Sequence, residues 1–406
     1  MATKRTTPTK KASRAKARAA KRPAKLKAKS ATKQAVAKRP VKKSAPASRP
    51  AKKRPATKPV RTSRALAPIV GPVSLEEAQA LARASAPRAA ARGLAPAPGP
   101  APIGLARKHV AKAQQEELAR RADEYKKVMA ILKKRGVRGL APAEGMAKPG
   151  ARAAGVAGGP PLQILAEGDS WFDYPPHLLK GGIIPRLQKK LGVPILSLAK
   201  AGDEVRYMLG VKERKLLIAQ LKKGCPAGGP WDALLFSGGG NDIVDNPMAL
   251  WIRQYDPNLT AEQHIHASRF QTALDLVRAG YEDLIALRDE LSPTTQLIFH
   301  GYDYAIPGLG GICWLGPWLS PTFDLRGFPK DPIRFEVVKV MLGKFFAMLG
   351  QLADPAKGIT ALATQGTLAP VRSSWHNELH PSNDGYDLFV DLFRKKLKEL
   401  FPGRVL

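Results

Sequence analysis

The chain has 406 residues, 44% of them hydrophobic, which is enough for one large or two small domains with a real core. Lys and Arg number 67 against 33 acidic residues, a net charge of +34, and there are only two cysteines, Cys225 and Cys313. This composition excludes a disulfide scaffold and a zinc site, and the sequence shows neither an 18-residue apolar run nor the apolar core of a secretory signal. We therefore expect no transmembrane segment and a reducing, cytoplasmic setting in which both thiols serve packing.

Most of the positive charge lies in the first 64 residues, which contain 24 Lys and Arg, no acidic residue and seven prolines. Mutual repulsion and proline prevent regular structure, and too little apolar surface is present to offset the entropy of folding. We interpret residues 1–64 as a disordered arm that binds nucleic acid or another polyanion through counterion release, which would place the protein at the nucleoid. A solubilising tail, adhesion to an anionic surface and a transit peptide are the alternatives.

Residues 65–160 are rich in Ala, Pro and Gly and are predicted to be a linker with a short helix at SLEEAQALARA and a longer one over about 107–135. In the longer helix, apolar residues recur at steps of three and four and form one face. These residues are Leu118, Ala122, Tyr125, Met129 and Leu132. Docking on the following domain, or pairing with a second copy, is favoured over a dedicated partner site.

From residue 161 to about 402 the pattern is that of an α/β domain. Short apolar runs (LQILAEG, PILSLAKAG, DALLFSGGG and QLIFHG) alternate with helical segments such as FQTALDLVRAGYEDLIALRDEL. Continuous apolar runs bounded by Gly are typical of strands buried on both faces, so a parallel sheet covered by helices is predicted. In such sheets the active site lies beyond the carboxyl ends of the strands.

Four polar motifs fall at those positions or just before the last helix. Gly168-Asp169-Ser170 follows the first strand, Ala201-Gly202-Asp203 the second and Gly239-Gly240-Asn241-Asp242 the third, and Asn377-Glu378-Leu379-His380 comes late in the chain. Read in order, Ser170, Gly202, Asn241 and His380 resemble the signature residues of the SGNH hydrolases, the GDSL esterase and lipase family. The resemblance covers about residues 161–402. It implies a three-layer α/β/α sandwich with a parallel five-stranded, flavodoxin-like sheet, and no metal or organic cofactor.

The chemistry of ester cleavage explains these residue types. A serine hydroxyl needs an adjacent base, and His380 has a side chain that titrates near working pH. The oxyanion that forms needs preorganised donors, here the backbone N–H groups of Ser170 and Gly202 and the amide of Asn241.

One residue departs from the family pattern, because Asn377 stands where the family usually has the Asp that orients its histidine. Three outcomes are open: Asn377 orients His380 without supplying charge, Glu378 or Asp384 substitutes, or the site is crippled. We favour a working enzyme that cleaves a lipid, acyl or acetyl ester, with no choice between carbohydrate deacetylation and lipid or thioester hydrolysis. A catalytically inactive hydrolase-fold scaffold that binds polyanions is the alternative.

Other residues near the motifs have less specific interpretations. His300 and His376 are expected to be surface or hydrogen-bonded histidines rather than catalytic ones. The aromatic residues after Ser170 could wall an acyl pocket or simply pack. The apolar, Gly- and Pro-rich segment from Tyr302 to Leu319 is predicted to be a loop lining the substrate site.

Overall fold

The computed structural model describes residues 71–84, 103–137, 160–174, 181–309, 316–330 and 332–405, with side chains of the second helix from residue 115 onward. The arm at residues 1–64 and Cys313 lie outside the described residues. The strands are β1 (Ile164–Gly168), β2 (Ile195–Ser197), β3 (Ala233–Ser237), β4 (Gln296–His300) and β5 (Ile359–Leu362). The helices are α1 (Leu75–Ala84), α2 (Ile103–Arg135), α3 (Ile183–Leu191), α4 (Val205–Met208), α5 (Glu213–Lys223), α6 (Gly240–Ile243), α7 (Ala267–Leu291), α8 (Ser320–Leu325), α9 (Ile333–Leu352) and α10 (Asn383–Leu400).

The five strands form one parallel sheet in the order β2-β1-β3-β4-β5. The strand order reverses at β1, so the carboxyl ends of β1 and β3 flank the point at which ligands bind in open α/β sheets. The expected parallel five-stranded sheet is therefore confirmed. All five residues of β1 and all five of β3 are buried, as strands covered on both faces require.

Helices cover both faces of the sheet, which gives the expected three layers. Tyr281 of α7 packs its ring on Phe236 of β3 and Phe299 of β4, 5.1 Å from each ring centroid. The next residue along β4, His300, points to the opposite face and meets Phe393 of α10. This alternation follows from the two-residue period of a strand, and it turns the polar end of β4 toward the layer that contains α10.

The region before β1 also contributes to this fold. A reciprocal capping box begins α1, since Ser74 Oγ accepts from the Glu77 N–H (3.2 Å) and Glu77 accepts from the Ser74 N–H (2.8 Å). The apolar face of α2 is buried at Tyr125, Met129 and Leu132. The Tyr125 ring lies 5.7 Å from the ring of Trp231, and Lys133 donates to Gln163 Oε1 at 2.7 Å. The helix is thus docked on the α/β domain through the predicted stripe.

Among the described helices, none is both long and apolar enough to cross a bilayer.

Candidate active site

Ser170 stands in the turn that directly follows β1, with 8% of its surface exposed. Its neighbour Asp169 fixes this turn from both its backbone and its side chain. The Asp169 N–H donates to the Ser237 carbonyl of β3 at 3.0 Å, and Asp169 Oδ1 accepts from the Trp171 N–H at 3.0 Å. The nucleophile candidate therefore has a defined position at the switch point of the sheet.

His380 reaches Ser170 from the loop that precedes α10, although 210 residues separate the two in the chain. Its Nε2 lies 2.7 Å from Ser170 Oγ. The loop is tied down beside the base, because the Trp171 indole N–H donates to the Leu379 carbonyl at 3.1 Å and the His376 N–H donates to the His380 carbonyl at 2.8 Å. The 2.7 Å between Ser170 Oγ and His380 Nε2 is the distance of a nucleophile hydrogen-bonded to its general base.

Asn377 fixes the tautomer of His380. Its Oδ1 accepts from the backbone N–H groups of Leu379 (3.0 Å) and His380 (2.9 Å), and since these groups can only donate, the oxygen of the amide must face them. The same oxygen lies 2.9 Å from His380 Nδ1, so Nδ1 carries the proton and Nε2 offers its lone pair to Ser170. The other end of the amide donates to the Tyr174 hydroxyl at 3.3 Å.

The two carboxylates that could have replaced the missing Asp do not take that role. The partner of His380 Nδ1 is Asn377, while Asp384 lies in the first turn of α10 and Glu378 turns its carboxylate toward residues 308 and 318–320. The alternative that Glu378 or Asp384 orients His380 in place of the missing Asp is therefore wrong. Burial, and to a smaller extent the neighbouring His376, lowers the pKa of His380 to about 3, so its imidazole is neutral and able to accept a proton at neutral pH.

Of the expected oxyanion donors, the structure brings Asn241 to the cavity at Ser170 and leaves Gly202 in a turn outside the cavity lining. Asn241 lines the cavity beside Ser170, and its amide nitrogen donates one hydrogen to the Asp203 carbonyl at 2.8 Å, which leaves its second hydrogen for a substrate. Gly202 lies in the exposed turn after β2 with a φ of 80°, a backbone conformation that favours glycine. That turn is joined to β1 because the Lys200 N–H donates to the Gly168 carbonyl at 2.8 Å. Gly202 does not belong to the described cavity lining.

The cavity at Ser170 is small, about 40 Å³. Its apolar wall comes from α9, from the segment after β4, from the turns after β1 and β3 and from the loop before α10. It consists of Trp171, Val244, Tyr302, Ala305, Val338, Leu342 and Leu379. The prediction that the segment after β4 lines the site agrees with these positions for Tyr302, Asp303 and Ala305, while residues 310–315 lie outside the described residues. Phe172 is buried packing rather than wall, and Tyr174 lies against His380 with 4.3 Å between ring centroids.

A buried polar network beneath Ser170 escaped the sequence reasoning. Asp169 Oδ2 accepts from the Tyr302 hydroxyl at 2.5 Å, and Oδ1 accepts from Ser237 Oγ at 2.9 Å. His300 Nδ1 accepts from the Tyr302 N–H at 3.2 Å, so its Nε2 carries the proton and donates to Ser237 Oγ at 2.9 Å. Tyr302 has a φ of 60°, which is unusual for a residue other than glycine. The signal available in the sequence was a polar residue at the end of each of three strands.

Burial shapes the ionisation of this network. It raises the pKa of Asp169 to about 6 against the opposing effect of its hydrogen-bond donors, and it lowers the pKa of His300 to about 3. His300 is therefore a neutral, hydrogen-bonded histidine, as expected, and not a second base for Ser170.

The solved structures to which the chain is similar in fold include three lipolytic enzymes. A lipase from a goat rumen metagenome is 18% identical with a TM-score of 0.39, over 58% of this chain and 96% of that one. An extracellular lipase from Streptomyces rimosus is 14% identical (TM-score 0.36; 58% and 99% covered), and phospholipase A1 from Streptomyces albidoflavus is 12% identical (TM-score 0.35; 57% and 98% covered). A GDSL-like lipase and an SGNH hydrolase are also among these neighbours.

No protein-family profile matches the sequence, and no curated protein does. The function of this chain has to be inferred from the atoms of its own site.

Proposed function

We propose that this chain is a serine esterase that hydrolyses a carboxylic ester. The observation that carries the proposal is the 2.7 Å contact between Ser170 Oγ and the unprotonated Nε2 of His380, in a tautomer fixed by Asn377. An arrangement of nucleophile, base and orienting group is the requirement for acyl transfer by serine. A parallel α/β sheet with this site at its switch point supports the same proposal.

The reaction proceeds in two halves. Ser170 Oγ attacks the ester carbonyl while its proton passes to His380 Nε2, and the carbonyl oxygen becomes an oxyanion facing Asn241 and the Ser170 N–H. Collapse of this intermediate breaks the bond to the alcohol, which takes the proton from His380. Water then attacks the acyl-serine with His380 again accepting a proton, and the carboxylic acid leaves as Ser170 recovers its hydrogen.

The small cavity supports a short acyl group. A buried water needs about 10–15 Å³ on the same measure, so about 40 Å³ holds only a few heavy atoms. We therefore expect acetyl and similarly short esters to be turned over faster than octanoyl esters, with the alcohol part of the substrate lying outside the cavity.

The test is turnover of p-nitrophenyl acetate, butyrate and octanoate by the full chain and by Ser170→Ala, with Ser268→Ala, an exposed serine of α7, as the matched control. Wild type and the control should hydrolyse acetate fastest and should be labelled by a fluorophosphonate at residue 170, whereas Ser170→Ala should do neither. Equal inertness of wild type and Ser170→Ala, together with no labelling, would leave the inactive scaffold as the better account.

We also propose that residues 1–64 tether the protein to nucleic acid or another polyanion. Support comes from their 24 positive charges and complete lack of acidic residues. Retention on DNA should fall steeply as salt rises, and it should disappear in the chain that begins at Leu66, where the compact unit that contains the α/β domain begins. Retention unchanged by this truncation would refute the tether.

A further inference from the structure

Glu378 has a carboxylate that is almost wholly buried, with 1% of the residue exposed. Five donors converge on it. Oε1 accepts from the N–H groups of Gly308 (2.7 Å) and Ser320 (3.1 Å) and from the Ser320 hydroxyl, and Oε2 accepts from the N–H groups of Trp318 (2.6 Å) and Leu319 (2.8 Å). Because backbone N–H groups can only donate, both oxygens act as acceptors, an arrangement that suits a carboxylate better than an amide.

Among the described residues, this buried carboxylate has no cationic partner within hydrogen-bonding range. Each of its hydrogen bonds comes from a backbone N–H or a hydroxyl. A buried carboxylate without such donors would be strongly destabilising. The four amide hydrogens in turn have no other acceptor in the described part of the chain, so the carboxylate and the loop satisfy each other.

The donors all belong to the segment that forms the wall of the site. Tyr302 and Ala305, at the start of that segment, line the cavity at Ser170. At its other end, the Trp318 ring lies 5.6 Å from the ring of His380. Glu378 itself stands two residues before His380, so a single side chain joins the wall to the loop that holds the base.

We propose that Glu378 is a positioning residue that fixes the wall segment, described at residues 302–309 and 316–320, against the catalytic loop and thereby shapes the substrate site. The inference rests on the proposed esterase function. Glu378 touches neither Ser170 nor His380, and the contacts that orient the base come from Asn377. Its removal should therefore disturb the binding of the ester more than the reactivity of the serine.

The informative variant is Glu378→Gln, which keeps the shape of the side chain but replaces one acceptor oxygen by an amide donor that faces other donors. The matched control is Glu399→Gln at an exposed position of α10. Loss of a hydrogen bond to a carboxylate makes local opening about 10 times or more as favourable. Amide exchange in the peptide that contains residues 316–320 should therefore accelerate at least about tenfold in Glu378→Gln and not in Glu399→Gln. The KM for p-nitrophenyl acetate should rise about tenfold, while kcat and the rate of fluorophosphonate labelling change less than about threefold.

Ser320→Ala guards against a variant that does not fold, because it removes one donor and leaves the other four. It should give a smaller rise in KM and in exchange, with an unchanged circular dichroism spectrum. Unchanged exchange at residues 316–320 in Glu378→Gln would overturn the inference, and so would faster exchange with an unchanged KM. Failure of the esterase function would be separate and visible, since wild type would then lack turnover and labelling, while the exchange measurement would still report whether Glu378 holds the segment.

Discussion

Replacing Asn377 by Asp is the change that isolates the missing charge of the site. The introduced carboxylate would keep the acceptor oxygen that faces the Leu379 N–H, the His380 N–H and His380 Nδ1 at 2.9–3.0 Å. Its second oxygen would face the Tyr174 hydroxyl, a group that can donate as well as accept. The substitution therefore adds a negative charge next to the imidazole and leaves the hydrogen-bond geometry intact.

The size of the effect follows from what Asn377 already does. In a serine protease the reverse change costs about 10⁴ in kcat, mainly because the histidine adopts the wrong tautomer. Here the tautomer is already correct, so only the attraction between the carboxylate and the imidazolium is to be gained. At about 4 Å and an effective dielectric constant of about 20 this attraction is about 4 kcal/mol, and the burial of a new carboxylate offsets part of it. We expect a rise in kcat of about 10- to 100-fold.

The pH profile gives an independent measure. Burial holds the pKa of His380 at about 3, so kcat/KM of the wild-type chain, which requires the neutral imidazole, should stay flat as pH falls from about 7 to about 5. A carboxylate beside the ring favours its charged form and raises this pKa, so the acidic limb of Asn377→Asp should move toward about pH 6. Steady-state turnover of p-nitrophenyl acetate from about pH 4 to about pH 9 measures both kcat and the position of the acidic limb. Asn377→Ala is the control, which should lower the rate because it no longer orients His380. A wild-type limb near the ordinary histidine value of about 6.5, or an Asn377→Asp variant with unchanged kcat and limb, would refute this reasoning.

Three further predictions concern the oxyanion site, helix α2 and the buried acid of β1. Asn241→Ala should lower kcat for p-nitrophenyl acetate about 10²- to 10³-fold with little change in KM. Tyr125→Ala should cost about 3–5 kcal/mol in urea unfolding because it empties a buried contact with Trp231, whereas Tyr207→Ala, at a residue 55% exposed, should cost less than about 0.5 kcal/mol. Burial, with a smaller contribution from a neighbouring carboxylate, raises the pKa of Glu167 from 4.5 to about 8, so the free energy of unfolding should fall as pH rises through this interval. Glu167→Gln should remove about 3–5 kcal/mol of that fall between about pH 5 and about pH 8.5; an equal fall in both proteins would contradict it.

The elements with a strong apolar pattern were predictable from the sequence. The runs that became β1, β2 and β3 are each followed by a polar motif, and this placed Ser170 and Asn241 at the carboxyl edge of the sheet. The apolar stripe of α2 was visible for the same reason. Strand β5 gave no comparable run, because only Ile359 and Leu362 of its four residues are fully buried.

Side-chain direction was not predictable in the same way. The position of Asn377 three residues before His380 favoured it as the orienting group, while Glu378 and Asp384 stayed open as alternatives, because residue order alone does not fix which side chain meets the ring. The choice depends on the path of a loop with little regular structure, whose course is set by distant partners such as Trp171 and Ser320. The network of Asp169, Ser237 and His300 was hidden for the same reason, since its members come from three different strand ends.

Asn377 and Glu378 are adjacent in the chain but have different roles. One orients the base and the other holds the wall segment. Asn377 turns toward the base and Glu378 toward the wall. The amide oxygen meets a ring N–H that needs one acceptor, while the carboxylate meets five donors with two acceptor oxygens. An amide at position 378 would leave donors without an acceptor, whereas at position 377 one acceptor oxygen satisfies every neighbouring donor. An amide at position 377 is thus compatible with an ordered site. The amide supplies no negative charge to stabilise the imidazolium, so we expect it to lower the rate of the reaction and not to disturb the assembly of the site.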